Sequence, residues 1–315
     1  MSDESLPPLR LKRKITGISA VLLPFLPGGD VDWRSFESLL ETTIEAGIIP
    51  AVNMDTGYVQ LLDERTRLNV LSVTAGLAGS EGFVAGAFVS DEKGDGYDEE
   101  SYFRSIAEVV SQGGTPVIFP SWGLNGLEED GWVKAHESFG ERADRLIGFE
   151  LGDMFVPYGR IYSLESYEAL LDIPAVIGAK HSSLSRELEW QRLALRDRHR
   201  PDFNVFTGND LAIDMVCWGS DYLLGLSAFA PEAFAERDRR WESGERSFYG
   251  LNDLLQYLGT FSFRPHVPGY RHDAAMFLAL RGRISSDTTP PGALRRPDSD
   301  REVLENIARQ LEETL

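Results

Sequence analysis

Eight short β-rich runs, separated by segments of helical spacing, limit what this chain can fold into more than any other feature. The runs cover residues 15–23, 48–53, 83–89, 116–119, 146–151, 175–180, 204–207 and 222–228. Between the first two, Phe36, Leu39, Leu40 and Ile44 fall on one helical face behind Asp32, a suitable N-cap. Strand and helix alternating on this scale imply parallel strands joined by crossover helices, and eight such units predict a closed (β/α)8 TIM barrel. A chain of 315 residues holds one barrel of about 250 residues with a modest appendage. An open doubly wound sheet would carry a glycine-rich phosphate turn after its first strand. Here that place reads LPFLPGGDVDW, whose glycine pair suits a turn before the first helix. Beyond Pro231 the pattern turns wholly helical, with a loop rich in proline and glycine at 263–270. An amphipathic helix at 298–315 follows, its apolar side formed by Val303, Leu304, Ile307 and Leu311. The expected division is an N-terminal arm at 1–14, the barrel at 15–235 and a C-terminal helical region at 236–315.

Charge and composition narrow the partners. Fifty acidic residues against 31 basic ones leave a formal charge of -19, which repels a nucleic-acid backbone from most of the surface. No apolar run is long enough to span a bilayer, and the charged opening MSDESLPPLRLKRK has no adjoining hydrophobic core, so a cytoplasmic protein is expected. The single cysteine, Cys217, excludes an intrachain disulfide and a cysteine-based zinc site, and its apolar context suits a buried thiol. The acidic stretch at 90–100 lacks the regular ligand spacing of a cation-binding loop and reads as a solvated loop and helix start.

One lysine draws attention within this frame. In IPAVIGAKHSS, Lys180 stands at the carboxyl end of the sixth strand candidate, the end at which barrel active sites lie. Apolar neighbours would desolvate its ammonium, lower its pKa and leave an amine able to attack a carbonyl and form a Schiff base. A lysine that only ends a strand and reaches solvent is the competing reading of this segment. Strand alternation turns the adjacent His181 to the opposite face, which makes it a structural residue.

The chain as a whole resembles the dihydrodipicolinate synthase and N-acetylneuraminate lyase family of class I aldolases. GISAVLLPFLPGGDVDWRSFESLLETTIEAG is similar to the family's first strand, turn and helix. NMDTGYVQLLDERTRLNVL stands at its Gly-Thr-Thr-Gly-Glu motif, and IPAVIGAKHSS at its Schiff-base strand. VFTGNDLAIDMVCWGSDYLLGLSAFAPE resembles its Ser-Gly-Asp-Asp and last-strand segments, and VPGYRHDAAMFLALRGRISSDTTPPG its appended helices. The resemblance implies condensation of a 2-oxo acid, typically pyruvate, on Lys180, with Thr56 and Gly57 holding the substrate carboxylate. It implies a homo-oligomer, dimer or tetramer, and chemistry that needs no metal or organic cofactor.

The hydroxyl relay of the family, one threonine and two tyrosines, is altered at every position. Asp55 stands at the relay threonine and Tyr58 at the motif's glutamate. Trp122, in FPSWG, replaces the tyrosine that some members contribute across a subunit interface, and is expected to give an apolar wall or stacking face. On the fifth strand, GFELGD puts Phe149 or Glu150 near the place of the catalytic tyrosine. Asp55 reads as a general base or as a loop cap, and Glu150 as a proton carrier with a burial-raised pKa or as the partner of an arginine. Tyr158 and Tyr162 could supply a phenol. Arg160 could bind a carboxylate through its planar fork, and Leu224, in the eighth strand candidate, is a further substrate-site candidate.

The expected function is therefore a Schiff-base lyase acting on a 2-oxo acid or 2-keto-3-deoxy sugar acid, by aldol cleavage, condensation or dehydration. Two alternatives stay open. In one, Asp55, Glu150, Asp153 and Asp210 converge on a divalent cation in a metal-dependent isomerase or hydrolase. In the other, a catalytically lapsed barrel binds a 2-oxo acid.

Overall fold

The structure is a computed structural model that describes residues 6–315; residues 1–5 of the expected arm lie outside the described residues. Eight parallel strands close a barrel in the order β1 to β8, with β8 hydrogen-bonded back to β1. The strands are β1 (Gly17–Ala20), β2 (Ile49–Val52), β3 (Val84–Ala87), β4 (Thr115–Ile118), β5 (Leu146–Leu151), β6 (Val176–Ser182), β7 (Asn204–Thr207) and β8 (Asp221–Leu224). Each lies within or overlaps one of the eight runs expected from the sequence, β8 covering only the first three residues of its run.

Helices alternate with the strands as α1 (Trp33–Glu45), α2 (Glu64–Ala78), α3 (Glu99–Ser111), the short α4 (Trp122–Asn125), α5 (Glu129–Gly140), α6 (Leu164–Leu171), α7 (Arg186–His199) and α8 (Pro231–Ser243). Three more follow: α9 (Ser247–Ser262), α10 (Tyr270–Leu280) and α11 (Asp300–Thr314). The first helix forms as its pattern dictates. The Asp32 carboxylate accepts the Ser35 N–H at 3.1 Å, and Phe36, Leu39 and Leu40 are buried. The last helix buries Leu304, Ile307 and Leu311 against α9 and α10. The boundary expected after residue 235 falls inside α8, which packs on α1 and β1 as the eighth helix of the barrel.

Two apolar layers position the site. Ile18, Ala51, Val117, Phe119, Ile147, Phe149, Phe206 and Leu223 fill the lumen, while a second layer lies between the strands and the surrounding helices. Because strand side chains alternate between lumen and helix layer, register decides which residues reach the mouth. Phe149 on β5, Lys180 on β6 and Phe206 on β7 are register partners and share the lumen face. Glu150 and His181, also partners, therefore share the opposite face.

Candidate active site

Lys180 rises from the lumen face of β6 near its carboxyl end and is buried, 4% exposed. Its ammonium sits 4.5 Å from the centroid of the Phe149 ring. Gly208, at the turn after β7, makes room for it: a β-carbon there would stand 2.9 Å from Lys180 Cε and 2.0 Å from Ser182 Oγ. Burial lowers the Lys180 pKa, and the negative charges of Asp55 and Asp210 act against that fall. The result is a buried amine whose pKa stays below the usual lysine value although two carboxylates oppose the fall.

The two carboxylates arrive on different turns. Asp55 opens the tight helical turn Asp55–Gly57 after β2. Asp210 lies in the TGND turn after β7, where its Oδ1 accepts the Leu226 N–H at 2.8 Å. Burial pushes the Asp210 carboxyl up to about 7; the Leu226 N–H and Lys180 oppose the rise, and Asp55 adds to it.

A phenol also reaches the site, from a part of the chain that sequence reading assigned only to the appended helices. Tyr270 begins α10, stacks on Phe263 with ring centroids 4.2 Å apart, and is buried. Its hydroxyl donates to Asp55 Oδ2 at 2.9 Å and lies 2.7 Å from Thr56 Oγ1, which is then free to donate to it. Gly225 permits this approach, since a β-carbon there would meet the Tyr270 hydroxyl at 3.1 Å and Thr56 Oγ1 at 3.2 Å. Thr56, Tyr270 and Asp55 thus form a continuous hydrogen-bonded chain. Burial raises the Tyr270 pKa well above that of a free phenol, so the group stays protonated at neutral pH. A second residue missed in the sequence is Ser182, whose buried hydroxyl has no partner among the described residues. Alternation from Lys180 already put it on the lumen face.

Of the other residues singled out in the sequence, some join this group and others do not. Thr56 and Gly57 lie in the same turn as Asp55, though the Gly57 N–H is taken by Met54 O at 3.0 Å. Trp122 is half-buried and packs on Tyr158, centroids 5.3 Å apart, so it supports the mouth through that ring. Glu150 is not brought to Lys180. It faces the helix layer, where its carboxylate accepts from Arg192 Nε at 2.7 Å and Nη2 at 2.6 Å, from His181 Nδ1 at 2.8 Å and from the Tyr162 N–H at 3.0 Å. Burial alone would raise its pKa as expected, but Arg192 and His181 overcome burial and hold it at about 2. Burial keeps His181 neutral, and its Nε2 accepts the Ser183 hydroxyl at 2.7 Å.

Arg160 also points away from the mouth. It donates to Leu127 O at 2.7 Å and pairs with Glu129 at 3.3 Å, anchoring the 152–160 loop to the start of α5. Leu224 lies on the helix side of β8, in register with Ser19 and one residue out of phase with the lumen residue Leu223. The Tyr162 hydroxyl turns to Asn125 Oδ1 at 2.7 Å. Among the described residues no three or more histidine, cysteine or acidic side chains converge to hold a metal ion. Of the four carboxylates considered for such a site, Glu150 is bound to Arg192, and Asp153 is exposed.

Above Asp55 the mouth opens into a cleft of about 300 Å³ whose walls include Phe88, Phe155, Tyr158, Arg271 and Leu294. No helix among the described residues is long and apolar enough to cross a membrane.

No protein-family model matches this chain, and no curated protein matches it. Solved structures do. The dihydrodipicolinate synthase of Thermotoga maritima superposes with a TM-score of 0.80 at 20% identity, over 96% of this chain and 100% of that one. The chloride-inhibited dihydrodipicolinate synthase of Acinetobacter baumannii, solved with pyruvate, gives 0.78 at 20% identity over 95% and 99% of the two chains. YagE of E. coli K12, a prophage protein of the dihydrodipicolinic acid synthase family also solved with pyruvate, gives 0.78 at 17% identity over 94% and 98%. The chain has the fold of these proteins along nearly its whole length.

Proposed function

We propose that this protein is a divergent member of the dihydrodipicolinate synthase and N-acetylneuraminate lyase family. In this reading it is a Schiff-base lyase acting on a 2-oxo acid or 2-keto-3-deoxy sugar acid. The observation that carries the reading is the desolvated Lys180 amine at the mouth of a barrel of this fold, beside Asp55, Asp210 and the Tyr270 phenol. Pyruvate bound in two proteins of the same fold supports the choice of substrate class.

In the reaction, neutral Lys180 attacks the C2 carbonyl and forms a carbinolamine. Loss of its hydroxyl as water leaves an iminium carbon. The proton that Lys180 gives up on becoming neutral is returned to the departing hydroxyl along the chain of Thr56, Tyr270 and Asp55, which joins a hydroxyl, a phenol and a carboxylate. The iminium then accepts the electron pair of the breaking C3–C4 bond, while the C4 hydroxyl gives up its proton and the C4 fragment leaves as an aldehyde; a proton added at C3 of the enamine and water added to the iminium carbon then release pyruvate and the free amine. In the condensing direction the enamine returns the pair to an aldehyde carbon. Asp210, poised near neutrality, serves as a second proton acceptor beside the amine. The family's threonine and two tyrosines are replaced in this account by Asp55, Thr56 and Tyr270. A homo-oligomer acting in the cytoplasm completes the proposal.

A panel of 2-keto-3-deoxy acids assayed for pyruvate release, with and without chelator, tests it. Release that survives chelation and disappears in Lys180→Ala is the expected result. Release abolished by chelator and restored by a divalent cation would replace the imine with metal-assisted chemistry.

A further inference from the structure

Arg271 is the one cationic side chain lining the cleft above Asp55 among the described residues. Its guanidinium is fixed by two backbone acceptors, Nε donating to Pro268 O and Nη1 to Asp55 O, each at 3.1 Å, and lies 5.0 Å over the Tyr58 ring. It forms no ion pair among the described residues, whereas Arg160, Arg186 and Arg192 each pair with a carboxylate. Nη2 donates to no described residue, so the outer edge of the fork is open to the cleft. In a chain of net charge -19, an immobilised arginine without a carboxylate is a prepared anion acceptor. Both acidic residues of the cleft have other donors: the Asp91 oxygens accept N–H groups, from Trp122 at 2.9 Å and Gly123 at 2.7 Å, and Asp55 Oδ2 accepts the Tyr270 hydroxyl at 2.9 Å. The Tyr158 hydroxyl, in the same cleft, has no partner among the described residues and offers a further donor.

We propose that Arg271, with the Tyr158 hydroxyl, binds a second carboxylate at the end of the substrate remote from the reacting carbonyl, so that the site selects 2-oxo dicarboxylic acids. This rests on the imine reading, because Asp55 links the two positions: its backbone oxygen holds Arg271, and its charge acts on Lys180. Arg271 takes the place expected of Arg160, and it comes from α10 instead of the loop after β5.

Borohydride trapping across matched acids tests the subsite. The pairs are 2-oxoglutarate with 2-oxopentanoate and 2-oxoadipate with 2-oxohexanoate, each pair sharing one chain length. In the wild-type protein the dicarboxylates should give half-maximal trapping at concentrations about tenfold to a hundredfold lower, the range set by a charge-assisted pair of hydrogen bonds. Arg271→Gln and Arg271→Lys should bring that ratio within about threefold, because a single ammonium does not reproduce the fork. A wild-type ratio near one, or a ratio that both substitutions leave intact, overturns the proposal. Calorimetric binding to Lys180→Ala separates this outcome from failure of the imine reading. An Arg271-dependent dicarboxylate preference there, with no adduct on the wild-type protein, keeps the subsite and removes the imine. Adducts without such a preference do the reverse.

Discussion

Removing the Glu150 carboxylate should unfold this barrel far more readily than it should slow its chemistry. Glu150→Gln leaves Arg192, 1% exposed at its side chain, without the anion that now accepts two of its N–H groups. It also weakens the acceptors for His181 Nδ1 and the Tyr162 N–H. The magnitude can be approached in two ways. Moving the Glu150 pKa from 4.5 to about 2 corresponds, at about 1.36 kcal/mol per unit, to about 3 kcal/mol of stabilisation. Breaking one side of a buried ion pair typically costs about 3–5 kcal/mol, in agreement. At roughly 2 °C per kcal/mol for a chain of this size, the midpoint should fall by about 6–10 °C. Since the folded pKa lies below the unfolded one, the contribution is present above about pH 4.5 and is lost as pH falls toward 2. Urea and thermal unfolding followed by circular dichroism at pH 7 and pH 3 read both effects, and the wild-type and variant curves should converge at the lower pH. Glu150→Leu combined with Arg192→Met should recover much of the loss, because no buried charge then remains unpaired. A Glu150→Gln protein as stable as wild type but unable to form an adduct at Lys180 would refute this reasoning and return Glu150 to the reaction.

Other expectations follow from the site. Tyr270→Phe breaks the link between Thr56 and Asp55 and should lower turnover by about 100-fold or more, with the fold retained by circular dichroism; unchanged turnover removes the phenol from the proton path. Asp210→Asn removes a charge that favours the Lys180 ammonium, so the pH limb of trapping rate should move to lower pH, where a shift to higher pH would contradict the assigned electrostatics. Gly208→Ala puts a methyl group against Ser182 and the lysine stem and should cost about 1–3 kcal/mol of stability together with trapping efficiency. Trapping and melting at wild-type levels would show that the lumen has slack there.

The barrel was legible because its signal is local: each strand is a short apolar run between turn signals, and a strand end shifts by a residue or two without altering the topology. The sixth run, expected at 175–180, is continued to Ser182 by pairing with Leu151 on β5. Lys180 was legible for the same reason, since its strand position and neighbours are adjacent in sequence. The parity of β5 was not. Every residue of LIGFEL is buried, on both faces, so alternation offers no polar side from which to decide whether Phe149 or Glu150 enters the lumen. The partner that decides it, Arg192, lies 42 residues away on α7. Tyr270 was hidden by distance alone, 214 residues from Thr56 in a helix that periodicity places only outside the barrel. Arg160 and Arg271 show the same limit. Both sit in loops or helix starts beside tyrosines, and only the packing shows which guanidinium is consumed by Glu129 and carbonyl oxygens and which faces the cleft.

The central claim is a covalent imine at one lysine, and intact-mass analysis after borohydride reduction with pyruvate, followed by peptide mapping, tests it most directly. A single reduced pyruvyl adduct on the peptide carrying Lys180, absent from Lys180→Ala, is the result this account predicts. An adduct on another lysine, or none with any 2-oxo acid while the protein still turns over substrate, would contradict it.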